Sequence, residues 1–253
     1  MLTSVRSLLA ATFLAGSMLA AAPALAQDDA AASPISISGN VAVTTDYRFR
    51  GVSLSGGDFA LQGGIDVVHD SGFYVGTWGS SIDGGAFGEL ELDFYGGWSG
   101  DVAEGVTVDV GLLYYMYPAS DDVGGVDLDT NIWEPYASVG FTLGPVGGTL
   151  GAAYAWEQDS LGGDDNLYIY TDWSLGIPNT PVTFSAHLGY TDGALAPPFL
   201  AGTADDTGLD WSLGVSATIY GGLSGSLTYV GVEGPSIDGF TDDAIVATLS
   251  FAG

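Results

Sequence analysis

The chain contains no cysteine and no lysine, and its only basic residues are Arg6, Arg48 and Arg50. Without cysteine, neither a disulfide framework nor a thiolate metal site can form. Because affinity for phosphate backbones comes mainly from Lys and Arg, nucleic acid is excluded as a partner. Against these three cations stand 31 acidic residues, for a formal charge of −28. The chain must therefore fold without covalent crosslinks around a large excess of carboxylates.

Long hydrophobic runs are also missing, apart from one at the amino terminus. Residues 8–22 are apolar, follow Arg6 and lead into Ala24-Leu25-Ala26, the small-x-small pattern that precedes signal-peptidase cleavage. We predict a cleavable signal peptide over residues 1–26, exported through the Sec pathway, and a short polar leader over residues 27–34. A short membrane anchor is the alternative, but the run is short for a transmembrane helix.

The rest of the chain has apolar residues at every second position, in segments of about ten to fourteen residues. In the clearest segment Val106, Val108 and Val110 share one face, while Thr107 and Asp109 share the other. A tilted strand needs about 9–11 residues to cross a bilayer. We predict twelve strands, at 35–49, 59–69, 72–82, 88–99, 105–117, 131–143, 147–157, 166–176, 181–191, 209–220, 222–232 and 243–251.

The connections between these strands alternate strictly between short and long. Bacterial outer-membrane barrels have short periplasmic turns and longer outer loops, with aromatic girdles near the strand ends. The pattern predicts an all-β fold, a single closed antiparallel transmembrane β-barrel of about 12 strands over residues 35–253. A soluble β-sandwich, which also has short strands at regular spacing, is the alternative.

The polar face of the predicted strands carries carboxylates that should point into the lumen. Ionised groups in a dry interior cost several kcal/mol each unless they are paired. Two arginines cannot neutralise so many acids, so we predict a lumen that is wet or holds cations. The inward carboxylates on the predicted strands are Asp66, Glu89, Glu91, Asp93, Asp109, Asp172 and Asp210.

Arg48 and Arg50 are the only basic residues beyond the signal peptide. The phase of the first strand places both of them inward, beside Asp46 and near the outer rim. One interpretation is a charge constriction, in which guanidinium groups opposite carboxylates orient and select solutes. In the other, the arginines tie the first strand to its neighbours or to a loop. Both interpretations stay open at this point.

The long connections are acidic as well. Paired aspartates beside glycine suit divalent hard cations, which could bridge these loops to lipopolysaccharide and other outer-membrane lipid. Their spacing does not match a twelve-residue calcium loop, so solvated loops are the alternative and any metal is unknown. The aspartates are Asp121, Asp122, Asp127, Asp129, Asp159, Asp164, Asp165, Asp205, Asp206, Asp238, Asp242 and Asp243.

Catalytic patterns are poor. Ser185 and His187 share one inward face, and His69 ends a strand, so a membrane lipase can be imagined. No nucleophile elbow accompanies them. We therefore expect no enzymatic activity and no cofactor.

Four segments near the start of the predicted barrel carry a resemblance to a known family: GNVAVTTDYRFRGVS at 39–53, ALQGG at 60–64, SGFYVGTWGS at 71–80 and GELELDFYGG at 88–97. They resemble the TorF family of proteobacterial outer-membrane porins. The resemblance implies a Gram-negative outer-membrane barrel, without defining its solute. It includes the Asp46, Arg48, Arg50 cluster and the Glu89, Glu91, Asp93 row.

Together these features predict a channel in the cell outer membrane for small solutes or ions, with cation preference set by the inward carboxylates. Twelve strands lie between the filled eight-stranded barrels and the open sixteen-stranded porins, so the pore should be narrow. We expect that an inward-folded loop could block it, and we assign this role to residues 192–208 with Pro197 and Pro198. A non-conducting structural or adhesive barrel is the alternative, and the oligomeric state is open.

Overall fold

The computed structural model describes residues 33–118 and 129–253, and within them twelve long strands form one closed antiparallel barrel. Each strand pairs with its neighbours in sequence, and β1 closes the ring against β14. The strands are β1 (Ile35–Thr44), β2 (Arg48–Phe49), β3 (Val52–Ser53), β4 (Ala60–His69), β5 (Phe73–Ser81), β6 (Leu90–Ala103), β7 (Val106–Met116), β8 (Ile132–Leu143), β9 (Val146–Ala155), β10 (Asn166–Gly176), β11 (Val182–Gly193), β12 (Thr207–Tyr220), β13 (Leu223–Val232) and β14 (Ala244–Ala252). Strands β2 and β3 form a separate two-stranded sheet.

Alternation along each barrel strand separates an apolar outer wall from a mixed inner wall. On β7, Val110 is 45% exposed, while Leu113 and Tyr115 point inward and are at least nine-tenths buried. Large apolar side chains cover the outside on every side of the barrel, for example Ile37, Leu213 and Ile245. A contiguous apolar surface of this kind is unstable in water and stable against hydrocarbon.

The two ends of the barrel differ. At the short-turn end, turns of a few residues join β4 to β5, β6 to β7, β8 to β9, β10 to β11 and β12 to β13. At the long-loop end the connections are longer and carry two 3₁₀ turns, Gly85–Phe87 and Asp159–Leu161, and the one-turn helix α1 (Pro197–Leu200). No helix in residues 33–118 and 129–253 has the length and hydrophobicity to cross a membrane.

The predicted fold is confirmed, since all twelve predicted strands occur as barrel strands. The signal peptide of residues 1–26 lies outside the described residues, as does most of the 27–34 leader, and both stay predictions.

The largest error in the prediction is the end of the first strand, which stops at Thr44 instead of residue 49. Beyond Thr44 the chain leaves the wall and forms the two-stranded sheet of β2 and β3, with a tight turn at Arg50 (φ 48°) and Gly51 (φ 79°). Two positive φ values in a row are the geometry of a two-residue hairpin turn. The alternation of residues 45–53 is therefore real, but it belongs to a second, smaller sheet.

Residues 45–59, which we call the inward hairpin, fold into the lumen at the long-loop end. Tyr47 is 4% exposed and packs with Ala60 and Ile82, at the ends of the wall strands. Phe49 packs edge-to-face on Tyr115 of β7, with ring centroids 5.7 Å apart. Tyr47 and Phe49, expected to face outward, thus lie inside the barrel. Burying these two aromatic rings stabilises the inward position of the hairpin.

The predicted blocking loop, residues 192–208, has a lesser role. Leu195 packs against the buried cluster that includes Leu113 and Tyr115. Pro197 and Pro198 are also buried. The 192–208 loop thus adds to the packing at this end, while Arg50 of the inward hairpin makes the contact across the lumen to β8 and β10.

Candidate functional site

The lumen is divided into a dry and a wet half. At the long-loop end, inward side chains from all around the wall are almost fully buried, with Glu134, Asn166 and Thr191 at 0% exposure and Glu91 at 1%. Toward the short-turn end, the inward hydroxyls Ser138, Ser174, Ser216 and Ser226 are partly exposed. Within the described part of the chain, the inward hairpin therefore fills one half of the lumen and leaves water access to the other.

Arg50 crosses the lumen from the tip of the inward hairpin. Its Nη2 donates to both carboxylate oxygens of Glu134 on β8, at 2.8 and 2.7 Å. Its guanidinium carbon lies 4.1 Å from the ring centroid of Tyr168 on β10. Tyr115 on β7 donates to Glu134 Oε2 at 2.9 Å. The tip is thus held by a buried ion pair and a cation–π contact, both stronger in a dry site than in water.

Glu134 was not among the predicted site residues. Its position next to Trp133, which is 42% exposed on the outer wall, gave the signal that it points inward. The prediction of inward carboxylates did not include this strand.

Arg48 has a different role from Arg50. It pairs with Asp46 within the hairpin, and its Nη2 donates to Asp242 Oδ1 at 3.0 Å. Asp46 also accepts hydrogen bonds from Ser53 at 2.6 Å and Ser55 at 3.2 Å. Arg48 therefore braces the hairpin and ties it to the 233–243 loop. The interpretation in which the arginines tie the chain to a loop therefore describes Arg48. Arg50 instead makes the contact with a carboxylate on the opposite side of the lumen.

Two further predicted carboxylates, Glu91 and Asp93, lie buried beneath the inward hairpin. Tyr47 donates to Glu91 Oε1 at 3.1 Å. Burial, together with the nearby carboxylates of Glu91 and Asp93, raises the pKa of Tyr47 and of Tyr117 in the loop after β7. Both phenols therefore stay neutral. The hairpin supplies Glu91 with a hydrogen-bond donor but with no cation.

Several buried polar atoms around the hairpin have no hydrogen-bond partner among residues 33–118 and 129–253. They include Glu91 Oε2, Asp93 Oδ1, Asp210 Oδ2, and the Nε and Nη1 of Arg50. An unsatisfied buried group costs about 1–3 kcal/mol, and more when charged. Such groups persist where the surrounding structure holds them and are frequent at functional sites. The unsatisfied polar groups of the dry half therefore cost free energy, and hydration of these groups would remove that cost.

In the wet half, the predicted carboxylates Asp66, Asp109 and Asp172 line the inner wall and are partly or largely buried. Tyr95 donates to Asp66 at 2.6 Å, and Tyr74 donates to Asp109 at 2.7 Å. These tyrosines hold the carboxylates on the wall, so their negative charge faces the remaining space of the lumen.

His187 lies between two predicted carboxylates. Its Nδ1 is 2.6 Å from Asp172 Oδ1, and its Nε2 is 2.9 Å from Asp210 Oδ1. The Nε2 also lies 2.8 Å from the Tyr168 hydroxyl. Both ring nitrogens are thus engaged by groups other than Ser185, so this arrangement does not orient His187 as a base for a serine nucleophile.

Glu89 is the one predicted strand carboxylate that does not line the lumen. The sixth strand begins at Leu90, and Glu89 is an exposed residue of the preceding loop, where its carbonyl accepts from Ile82. The sequence alternates one residue beyond the strand. The end of a strand is set by where its hydrogen bonds to the neighbouring strand stop, and the sequence pattern does not show this point.

The acidic loops are only partly described. Asp121, Asp122 and Asp127 lie outside the described residues. Asp129, Asp159, Asp164, Asp165, Asp205, Asp206, Asp238 and Asp243 are exposed, while Asp242 is partly buried and binds Arg48. Over residues 33–118 and 129–253, no group of three or more acidic or histidine side chains is arranged to hold a metal ion. A divalent cation at these loops stays a prediction.

Solved structures share this architecture at low sequence identity. A KdgM porin in complex with disordered oligogalacturonate is 7% identical, with a TM-score of 0.54 over 85% of this chain and 96% of that one. An outer-membrane channel from Pseudomonas putida F1 is 12% identical, with a TM-score of 0.45 over 89% of this chain and 99% of that one. At such identities the likeness concerns the fold. No curated protein sequence matches the chain.

One family is shown by sequence. The family model described as "Bacterial protein of unknown function (Gcw_chp)" matches residues 28–250. The match covers most of the chain and runs from before β1 into β14. The resemblance to the TorF family stays a prediction. The chain belongs to the Gcw_chp family of bacterial proteins.

Proposed function

We propose that the protein is a porin-like channel of the outer membrane that passes small solutes and prefers cations. The observation that carries the proposal is a closed twelve-stranded barrel whose outer wall is apolar and whose inner wall carries carboxylates. In this structure the inward hairpin closes its long-loop end. No chemical step and no cofactor is part of the proposed role.

The outer wall supports the membrane location. Aromatic side chains lie among the exposed apolar residues near the strand ends, where they suit the interface between hydrocarbon and headgroups. Tyr114 and Trp133 stack at 4.2 Å near the long-loop end, and Phe141 and Trp173 contact edge-to-face at 5.4 Å nearer the short-turn end. Outer-membrane lipid and lipopolysaccharide are therefore the proposed surroundings of the barrel.

The charges of the lumen support the preference for cations. The described wall strands carry no arginine and no lysine. Their inward-facing histidine, His187, is held between two carboxylates. A confined space with low-dielectric walls and one sign of charge concentrates counter-ions. The inward carboxylates of the wall are Asp66, Glu91, Asp93, Asp109, Glu134, Asp172 and Asp210.

Reversal potentials in planar bilayers under a potassium chloride gradient test this preference. We expect a reversal potential that favours potassium over chloride, reduced in the double variant Asp66→Asn/Asp109→Asn because two carboxylates of the wet half are removed. Glu89→Gln is the matched control, since Glu89 is exposed and outside the strand. Chloride preference in the wild type would contradict the assignment. A complete lack of current, even after removal of the hairpin, would indicate a sealed structural barrel.

A further inference from the structure

The guanidinium of Arg50 lies in a receptor built by the barrel wall. The receptor consists of the Glu134 carboxylate on β8, the Tyr168 ring on β10 and the Tyr115 hydroxyl that orients Glu134 from β7. These three side chains stand on paired or neighbouring wall strands. Arg50, in contrast, belongs to a separate segment with its own small sheet.

We propose that this wall receptor is the binding site of the channel for solutes that carry a guanidinium group, and that Arg50 is a tethered occupant competing with them. The proposal rests on the proposed channel function and names the solute class for it. A free solute that displaces Arg50 removes the contact that holds the hairpin tip. Binding of the solute would thereby favour opening of its own path.

The chemistry of the receptor matches a guanidinium more closely than a compact cation. A carboxylate can accept guanidinium N–H groups at both of its oxygens, and an aromatic face at about 4 Å receives the delocalised charge. Tyr168 and Glu134 supply these two features for Arg50, and both are at least nine-tenths buried. A sodium ion would gain the charge of Glu134 but would lose most of its hydration in the buried site.

Arg50 does not satisfy all of its own donors at this site. Among the residues that the structure describes, its buried Nε and Nη1 have no hydrogen-bond partner, and neither does the buried acceptor Asp210 Oδ2. Asp210 adjoins the hairpin tip, because a Cβ on Gly51 would lie 3.0 Å from the Asp210 Cβ. A tethered side chain is limited by its backbone, whereas a free guanidinium can orient within the receptor. The unpaired groups therefore indicate that the receptor can form more hydrogen bonds than Arg50 makes.

The receptor adjoins the wet half of the lumen. Tyr168 holds Arg50 on its ring face, and its hydroxyl reaches His187 at 2.8 Å. His187 and Asp172 are partly exposed, with side-chain exposures of 21% and 15%. A cation in the wet half thus meets the carboxylate of Asp172, which is joined to Tyr168 of the receptor through His187.

Chemical rescue of Arg50→Ala tests the proposal. This variant vacates the receptor, so we expect a larger bilayer current than in the wild type. Millimolar guanidinium should then block the current by refilling the receptor, at concentrations at least about tenfold below those needed for sodium or methylammonium. In the wild type, the same additions should raise the current from its closed level, but no higher than the blocked level of Arg50→Ala, because the receptor then holds free guanidinium in both proteins. Arg50→Ala/Glu134→Gln is the matched control and should lose the selective block.

A second readout is independent of conduction. In detergent, low-millimolar guanidinium should raise the melting temperature of Arg50→Ala above the shift given by sodium at equal ionic strength, and Glu134→Gln should abolish the difference. If no variant conducts, the channel function fails while the melting shift still reports on the receptor. If current flows but guanidinium acts no better than sodium in either assay, the receptor assignment is overturned.

Discussion

Replacement of residues 46–58 by Asn-Gly is expected to raise the bilayer conductance of the barrel on the order of tenfold, as a filled lumen becomes an open one. Thr44 and Ala60 are Cα partners in the β1–β4 ladder, so the flanking Thr45 and Phe59 can be joined by a two-residue turn. The wall ladder stays intact, while the side chains of Tyr47, Phe49 and Arg50 leave the lumen. Single-channel recording of the purified barrel in planar bilayers measures the effect.

The matched control is replacement of the exposed turn at residues 178–180 by Asn-Gly. This turn lies at the short-turn end, outside the lumen. The replacement introduces the same Asn-Gly turn into a different connection and removes no lumenal side chain. An equal conductance in the two variants and the wild type would show that the inward hairpin is not what limits the current.

Glu134→Ala is expected to lower the free energy of unfolding by about 3–5 kcal/mol, because it leaves the buried guanidinium of Arg50 without its counter-ion. Arg50 is 7% exposed, and Glu134 is its ion-pair partner at 2.7 Å. Arg50→Ala/Glu134→Ala removes both charges together and should cost less than Glu134→Ala alone. Urea unfolding in detergent of the wild type, Glu134→Ala, Arg50→Ala and the double variant, followed by tryptophan fluorescence, gives the four free energies of a double-mutant cycle.

Glu89→Ala is the control for this cycle and should change the free energy of unfolding by no more than about 0.5 kcal/mol, since Glu89 is exposed in a loop. The hairpin could respond to Glu134→Ala by leaving the lumen. In that case the loss of stability would be smaller and the bilayer current of the same variant would rise. Additive single-variant effects with unchanged current would contradict a coupling between Arg50 and Glu134.

The barrel itself could be predicted from the sequence because each strand shows its own period of two. Lipid contact requires an apolar residue at every second position on each strand, so the signal repeats without reference to the partners. The turns add a second local signal, since residues such as Gly105, Gly144 and Gly221 adopt positive φ in the short connections. Fold class and strand number followed from these two signals.

The inward hairpin could not be predicted in the same way. Alternation over residues 45–53 indicates a strand but does not say to which sheet the strand belongs. Arg50 at the first turn position is an uncommon residue for a positive φ, so the turn lacked its usual Asn-Gly or Asp-Gly signature. The prediction therefore continued β1 through Phe49, and Arg48 and Arg50 were placed on the wall.

The pairing of Arg50 with Glu134 joins residues 84 positions apart across the lumen. Strand phase tells which side chains face inward, but not which of them meet across the barrel. The expectation of a wet lumen follows from the same limit. It describes the short-turn end, where the inward serines are partly exposed, while the hairpin fills the long-loop end and brings the cation of Arg50 into it.

Thiol labelling of two introduced cysteines tests most directly whether residues 45–59 close the lumen. The chain has no native cysteine, so Ser80→Cys at the long-loop end and Ser138→Cys at the short-turn end give unambiguous signals. Ser80 is 1% exposed, and Ser138 is partly exposed. A small water-soluble thiol reagent should modify Ser138→Cys readily and Ser80→Cys only after the hairpin is replaced. Equal modification of both cysteines in the intact barrel would show that the hairpin does not occupy the lumen.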